Sequence, residues 1–238
     1  MAEEAASRSE DETRTLVCQA GAILDGLGLV DYLGHCSARL PGTDHIVIKP
    51  KHSPRIRRMN QLTPADLSIV DLDGELISGS HPAPTEVFIH TEIYRARPDV
   101  KSVVHTHQTA ATLMGVLDRP ILPLLHVPAS FVPETPVVWP RPVLVNSPEL
   151  GRDLAKALGE ASFCHLRGHG IVSVADDTRR ATVGAIMLEK LAEASLSAVQ
   201  AKVVPHTIGQ EELETLRGQL AGVEGRWAYF LEVTGQSR

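Results

Sequence analysis

"HPAPTEVFIHTEIYRARPDVKSVVHTHQ", residues 81–108, changes local conformation around a proline, and that change sets the fold class. Upstream of Pro98 the segment reads as a helix. Thr85 is a residue type that caps helix N-termini, Glu86 falls in the first turn where the macrodipole favours an anion, and Pro98 stops the run. Downstream, KSVVHTH over residues 101–107 reads as a short strand. Side chains alternate faces along a strand, so His105 and His107 project to one side, about 6–7 Å apart along the backbone. Two imidazoles so placed could share a metal ion. The same pair also fits a structural or solvated role, because histidine commonly occupies half-buried positions.

Outward from this segment, strands and helices alternate. Leu16, Val17, Ala20, Ile23, Leu24 and Leu27 recur at helical spacing, with Gly26 and Gly28 as a stop. HIVIKP (45–50) and LSIVDLDGELISG (67–79) read as strands, the latter a hairpin hinged at Asp73-Gly74. QTAATLMGVL (108–117) reads as a helix, RPVLV (141–145) as a strand, and SPELGRDLAKAL (147–158) as a helix capped by Ser147 with Pro148 at its first position. SFCHLRGHGIVSVA (162–175) gives two strands around a Gly168-His169-Gly170 turn. Residues 177–202 follow as a long helix with Val183, Ile186, Met187, Leu191 and Ala194 on one face. The tail, 209–235, adds a polar helix and the aromatic cluster Trp227, Tyr229 and Phe230. An α/β sandwich results, with no internal repeats. Residues 203–209 are too few for a domain linker, so a flexible polar leader over 1–12 and a single domain over 13–238 are expected.

Composition narrows the function classes. At 238 residues and 43% hydrophobic, the chain can bury a sizeable core. Its 23 basic and 29 acidic residues, net −6, provide no basic stripe for a phosphate backbone, so nucleic acid is not an expected partner. No apolar run approaches the roughly 18–20 residues a bilayer needs, and the N-terminus is acidic and polar, which predicts a cytoplasmic protein with no membrane partner. Cys18, Cys36 and Cys164 are scattered without CxxC spacing and read as buried thiols.

Two further residues give the histidine pair its meaning. Glu86 lies one helix upstream, and His169 lies downstream between glycines that permit close approach. Three neutral imidazoles and a carboxylate form an ordinary ligand set for one divalent transition metal ion, with zinc, manganese, cobalt and iron all suited to it.

The segments GLVDYLGHCSARL, IVIKPKHSP, HPAPTEVFIHTEIYRARPDVKSVVHTHQ and LRGHGIVSVADD together resemble the class II aldolase/adducin family over residues 16–191. The resemblance implies a three-layer α/β/α fold with a central, mostly antiparallel sheet, and a homotetramer with active sites at subunit interfaces. It puts the family's metal-binding histidines on His105, His107 and His169 and its acidic proton-transfer residue on Glu86. Sugar-phosphate members cradle phosphate with small neutral residues. This chain has Gly34-His35, Lys51-His52 and Pro84-Thr85 at those places, and proline lacks the N–H a phosphate cradle uses.

KPKHSPR supplies Lys49, Lys51, His52, Ser53 and Arg55, whose cationic and imidazole donors suit carboxylates or phenolic oxygens, or a solvated basic loop. His35, Thr85 and His126 complete the expected substrate contacts; His35 could instead cap a turn, and Arg39 fits a structural ion pair. Within the family the pattern is most similar to the branch of the 3,4-dihydroxyphthalate decarboxylase type. That implies a metal-dependent lyase acting on a small dihydroxylated aromatic carboxylate. A class II aldolase, or an iron-dependent aromatic-acid oxygenase on the same fold, is the alternative.

Overall fold

Eight short strands form one sheet in the computed structural model, which describes residues 2–56, 58–220 and 222–236, the side chains of 2–8 excepted. They are β1 (His35–Arg39), β2 (Ile46–Ile48), β3 (Ser68–Val70), β4 (Leu76–Ser78), β5 (Ser102–Thr106), β6 (Val137–Trp139), β7 (Phe163–Leu166) and β8 (Gly170–Ala175). Their spatial order is β4-β3-β2-β1-β5-β8-β7-β6. Every neighbouring pair is antiparallel except β6 and β7, so the expected mostly antiparallel sheet is present.

Alternation along the strands divides the core between the two faces. Val104 and Ile171 join one hydrophobic cluster, with Val17, Ile23 and Leu24 of helix α1 (Ala2–Gly26), Met114 of α3 (Thr109–Val116), and Val183, Ile186 and Leu188 of α6 (Thr178–Ala201). Val103 and Val172 join the other, with Ile93 and Tyr94 of α2 (Val87–Ala96) and Leu154 and Leu158 of α5 (Pro148–Leu158). Each such side chain, fully buried, contributes about 1.5–3 kcal/mol. Three further helices, α4 (His126–Phe131), α7 (Gln210–Leu220) and α8 (Glu224–Val233), bring Phe131, Leu213, Trp227 and Phe230 to the first cluster. Tyr229 stays exposed. Among the described residues no helix is long and apolar enough to cross a membrane.

Four sequence readings change. The segment 141–145 is not a strand; the edge strand is β6, just upstream, because Pro140 and Pro142 cannot donate to a ladder. β1 escaped the hydrophobic pattern because its five residues mix His35, Ser37 and Arg39 with Cys36 and Ala38. The expected leader overlaps α1: over residues 9–12 the chain is helical, and Arg14 Nε donates to Glu10 Oε1 at 2.8 Å. Apolar spacing marks only the part of a helix that packs, whereas acidic residues in the opening turns suit the dipole without packing. Residue 1 and the side chains of 2–8 lie outside the described residues. Finally, Glu86 rather than Thr85 occupies the N-cap position of α2, and its side chain makes no capping bond because it is engaged elsewhere.

Candidate metal centre and its cavity

β5 lies between β1 and β8, with His105 opposite His35 on one side and Val172 on the other. That register decides the chemistry of the ring. His105 Nδ1 donates to the carbonyl of Ile171 at 2.9 Å, leaving Nε2 with its lone pair. His107, one step beyond the strand, donates Nδ1–H to Asp31 Oδ1 at 3.1 Å, so its Nε2 is likewise free to ligate. The two Nε2 atoms are 3.1 Å apart. Two lone pairs facing each other at that distance repel unless a positive charge lies beside both.

The remaining donors come from the two ends of distant elements. His169, in the β7–β8 turn, has Nε2 3.4 Å from Glu86 Oε2, which is 3.9 Å from His105 Nε2. Glu86 Oε1 accepts the backbone N–H of Val145 at 2.9 Å, and this bond aims the carboxylate across the cavity instead of at the end of its own helix. One donor atom from each of Glu86, His105, His107 and His169 lies within 4.8 Å of all the others. Oriented tautomers, a carboxylate and mutual spacing fit a divalent metal ion.

Electrostatics agree with that fit. Burial, reinforced by the neighbouring imidazoles of His169 and His107, holds His105 well below the usual histidine range, so the ring stays neutral. Burial alone would raise the Asp31 carboxyl. The Leu33 N–H, His107 and the Gly34 N–H outweigh it and keep the carboxyl below its ordinary value. Gly170 permits the close packing of the turn: a Cβ there would overlap the Thr106 carbonyl and press on the His107 and His105 rings. Gly168 takes a φ of +70°, a conformation glycine adopts freely.

Asp31 orients a ligand without touching the ion's position, and such partners typically contribute about 10–100-fold to metal affinity. Asp31→Ala is therefore expected to weaken metal binding by that factor while leaving the ligands in place, measured by competition with a chromophoric chelator.

The ligand cluster opens on a cavity of about 740 Å³. His35, Lys51, His52, Thr85, Glu86, His107 and His169 line it, as does Lys49, while His105 sits fully buried behind them. Two expected contacts lie elsewhere. Ser53 Oγ accepts the N–H groups of Arg55 and Ile56 and closes a local turn, and His126 is exposed at the start of α4; neither lines the cavity. Lys49 is 2% exposed and donates Nζ–H to the Tyr32 carbonyl at 2.7 Å; no carboxylate pairs with it among the described residues. Burial pushes its ammonium down to about 8. Leu33, Pro142, Val143 and Leu144 form an apolar wall that the motif reading did not anticipate.

Comparison with known proteins places this geometry. The family model described as "Class II Aldolase and Adducin N-terminal domain" matches residues 15–196. The chain is 34% identical over 198 residues to a 3,4-dihydroxyphthalate decarboxylase from Arthrobacter keyseri, covering 79% of each chain. It is 33% identical over 213 residues to one from Terrabacter sp. (strain DBF63), covering 85% of this chain and 88% of that one. The crystal structure of an aldolase II superfamily protein from Pseudomonas syringae superposes with a TM-score of 0.81 at 22% identity, over 96% of this chain and 94% of that chain, a likeness of fold.

Proposed function

The chain belongs to the class II aldolase and adducin family, and from that premise we propose that it is a metal-dependent decarboxylase of a dihydroxylated aromatic acid of the 3,4-dihydroxyphthalate kind. Its relatives make it a class II aldolase-like lyase. The lining of the cavity carries the aromatic-acid reading. Where a phosphate cradle would need small neutral groups, the chain has Lys51 and His52, and these line the cavity together with Lys49 and the apolar Leu33, Val143 and Leu144. A planar ring with anionic substituents suits both kinds of lining.

A divalent ion held by His105, His107 and His169 supplies Lewis-acid polarisation of adjacent substrate oxygens. The chain's own residues do the rest. Glu86, on the cavity wall beside His169, is placed to deliver a proton to the ring carbon that bears the carboxylate. As that C–H bond forms, the bond to the carboxylate carbon breaks, its electron pair returns to the ring, and carbon dioxide leaves. Lys49 and Lys51 hold a second carboxylate, and the apolar wall keeps water from the reacting face. Zinc, manganese, cobalt and iron all suit the donor set. The proposal extends to a cytoplasmic homotetramer with sites at subunit interfaces, a reading supported by the exposed Leu33, Val143 and Leu144 at the cavity. Sedimentation equilibrium tests the assembly.

The deciding assay offers dihydroxybenzoates, dihydroxyphthalates and sugar phosphates in parallel, following carbon dioxide and aldehyde. Carbon dioxide from the aromatic acids is the expected result; aldehyde from sugar phosphates would instead make the chain an aldolase.

Lys49 adds a pH signature. Its ammonium exists below pH about 8, so the native enzyme's KM for an anionic substrate should rise above that pH as the charge is lost. Lys49→Met is expected to raise KM roughly ten- to hundredfold with little change in kcat, the scale of a charge-assisted hydrogen bond acting in ground and transition state alike. The variant should also lack the alkaline rise in KM.

A further inference from the structure

Behind the cavity wall a chain of hydrogen bonds runs into the protein from His35. Its Nδ1 lies 2.7 Å from His90 Nε2, His90 Nδ1 lies 2.6 Å from Ser37 Oγ, and Ser37 Oγ lies 2.8 Å from the Tyr94 hydroxyl. The last three members of this chain are fully or almost fully buried, Tyr94 at 1% exposure, and His35 is 2% exposed. Its other end is the cavity, which His35 lines and into which its Nε2 is the ring nitrogen with no hydrogen-bond partner among the described residues.

Such a chain can run in two directions, and its buried end chooses between them. The tyrosine hydroxyl has one proton to place. Its other neighbours are the Arg39 guanidinium, over the ring at 4.9 Å, and the Val103 N–H, which are donors and cannot take that proton. Ser37 Oγ must therefore accept from Tyr94 and donate its own proton to His90 Nδ1. Burial pushes His90 down to about 3, so its ring is neutral and carries a single proton, now on Nε2. That proton is donated to His35 Nδ1, and His35 is left with its proton on Nε2.

We propose that the Tyr94–Ser37–His90 chain fixes His35 as a hydrogen-bond donor toward the cavity, making His35 a specificity-determining residue that selects a substrate with an anionic oxygen, carboxylate or phenolate, at that point. The inference rests on the aromatic-acid reading for the identity of the oxyanion but not for the polarity of the chain. An opposite polarity would present a lone pair to the cavity and repel the same group. His90, Ser37 and Tyr94 act through His35 and are positioning residues.

The test uses the full-length, zinc-loaded protein labelled with 15N, in which long-range 1H–15N spectra report the tautomer of each histidine. His35 is expected to show a protonated Nε2 and a bare Nδ1. Its Nε2 proton should shift on addition of 3,4-dihydroxybenzoate. Tyr94→Phe keeps the ring in the core but removes the hydroxyl that sets direction. It should convert His35 to a mixture of tautomers and raise KM for the aromatic acid about tenfold, with kcat little altered. A purely packing role for Tyr94 would leave the tautomer unmoved. Ser37→Ala supplies a second break in the same chain should the first variant fold poorly. A His35 protonated at Nδ1 in the native protein, or a tautomer indifferent to both substitutions, overturns the proposal even if aromatic acids are decarboxylated. If no aromatic acid is turned over but the Nε2 proton still shifts with 3,4-dihydroxybenzoate, the decarboxylase reading fails while the donor assignment holds.

Discussion

Removing one imidazole from the cluster is expected to abolish both metal binding and turnover while the fold survives. His105→Ala, His107→Ala and His169→Ala should each do this, and His169→Ala is the cleanest case. His169 lies in a turn with its side chain 17% exposed and its Nδ1 without a hydrogen-bond partner among the described residues, so truncation strands no backbone group and removes only the imidazole 3.4 Å from Glu86 Oε2. His105 is different. Its loss would remove a hydrogen bond to the Ile171 carbonyl and a fully buried ring, and a drop in stability of about 1–3 kcal/mol is expected in addition. Loss of an orienting partner alone costs about 10–100-fold in affinity or activity, so loss of a direct ligand should exceed that range. Elemental analysis and circular dichroism on the same preparation separate the two effects. Full occupancy in any one of the three variants removes that residue from the ligand set.

Glu86→Gln is expected to lower kcat by roughly 10²–10⁴-fold, the usual contribution of a positioned acid or base. The substitution keeps the shape and, through its remaining oxygen, the bond from Val145 that holds the side chain across the cavity. Metal content should therefore fall little, if at all, which distinguishes a proton-transfer group from a ligand. Wild-type turnover in Glu86→Gln with the metal retained would make the carboxylate a bystander.

The residues at the centre of this site were visible before the fold because their signals are local. Two histidines at an interval of two at a strand end, a glycine-flanked histidine and a Pro-Thr-Glu run survive as short words in the sequence, and the structure brings all four chemical groups together. Asp31 had no such word. Its partner His107 is 76 positions away, and the bond exists only because β1 follows the Asp31 turn into the sheet beside β5. The same holds for His90. On a helical pattern it is one polar residue among several, and only the packing of α2 against β1 brings it to Ser37 and His35. Lys49 was legible as a cation but not as a buried one. His126 and Ser53 show the converse: chemistry suited to a ligand, in a place the fold does not turn toward the cavity. Strand direction was out of reach of periodicity altogether, since a period of two is identical in parallel and antiparallel sheets.

The strand order bears on how the protein is made. β5 carries His105 but is flanked by β1 and β8, elements separated from each other by more than half the chain. A ribosome delivers the N-terminal side first, so Glu86, His105 and His107 emerge well before the β7–β8 turn that carries His169. Until β8 docks, His105 lacks the Ile171 carbonyl that sets its tautomer, and the cluster lacks its third imidazole. Long-range pairings of this kind close late and slowly. Loading of this cluster with the proposed ion would thus fall near the end of biogenesis, on a nearly complete polypeptide, and the ion acquired would reflect what the surroundings supply then as much as what the ligands prefer.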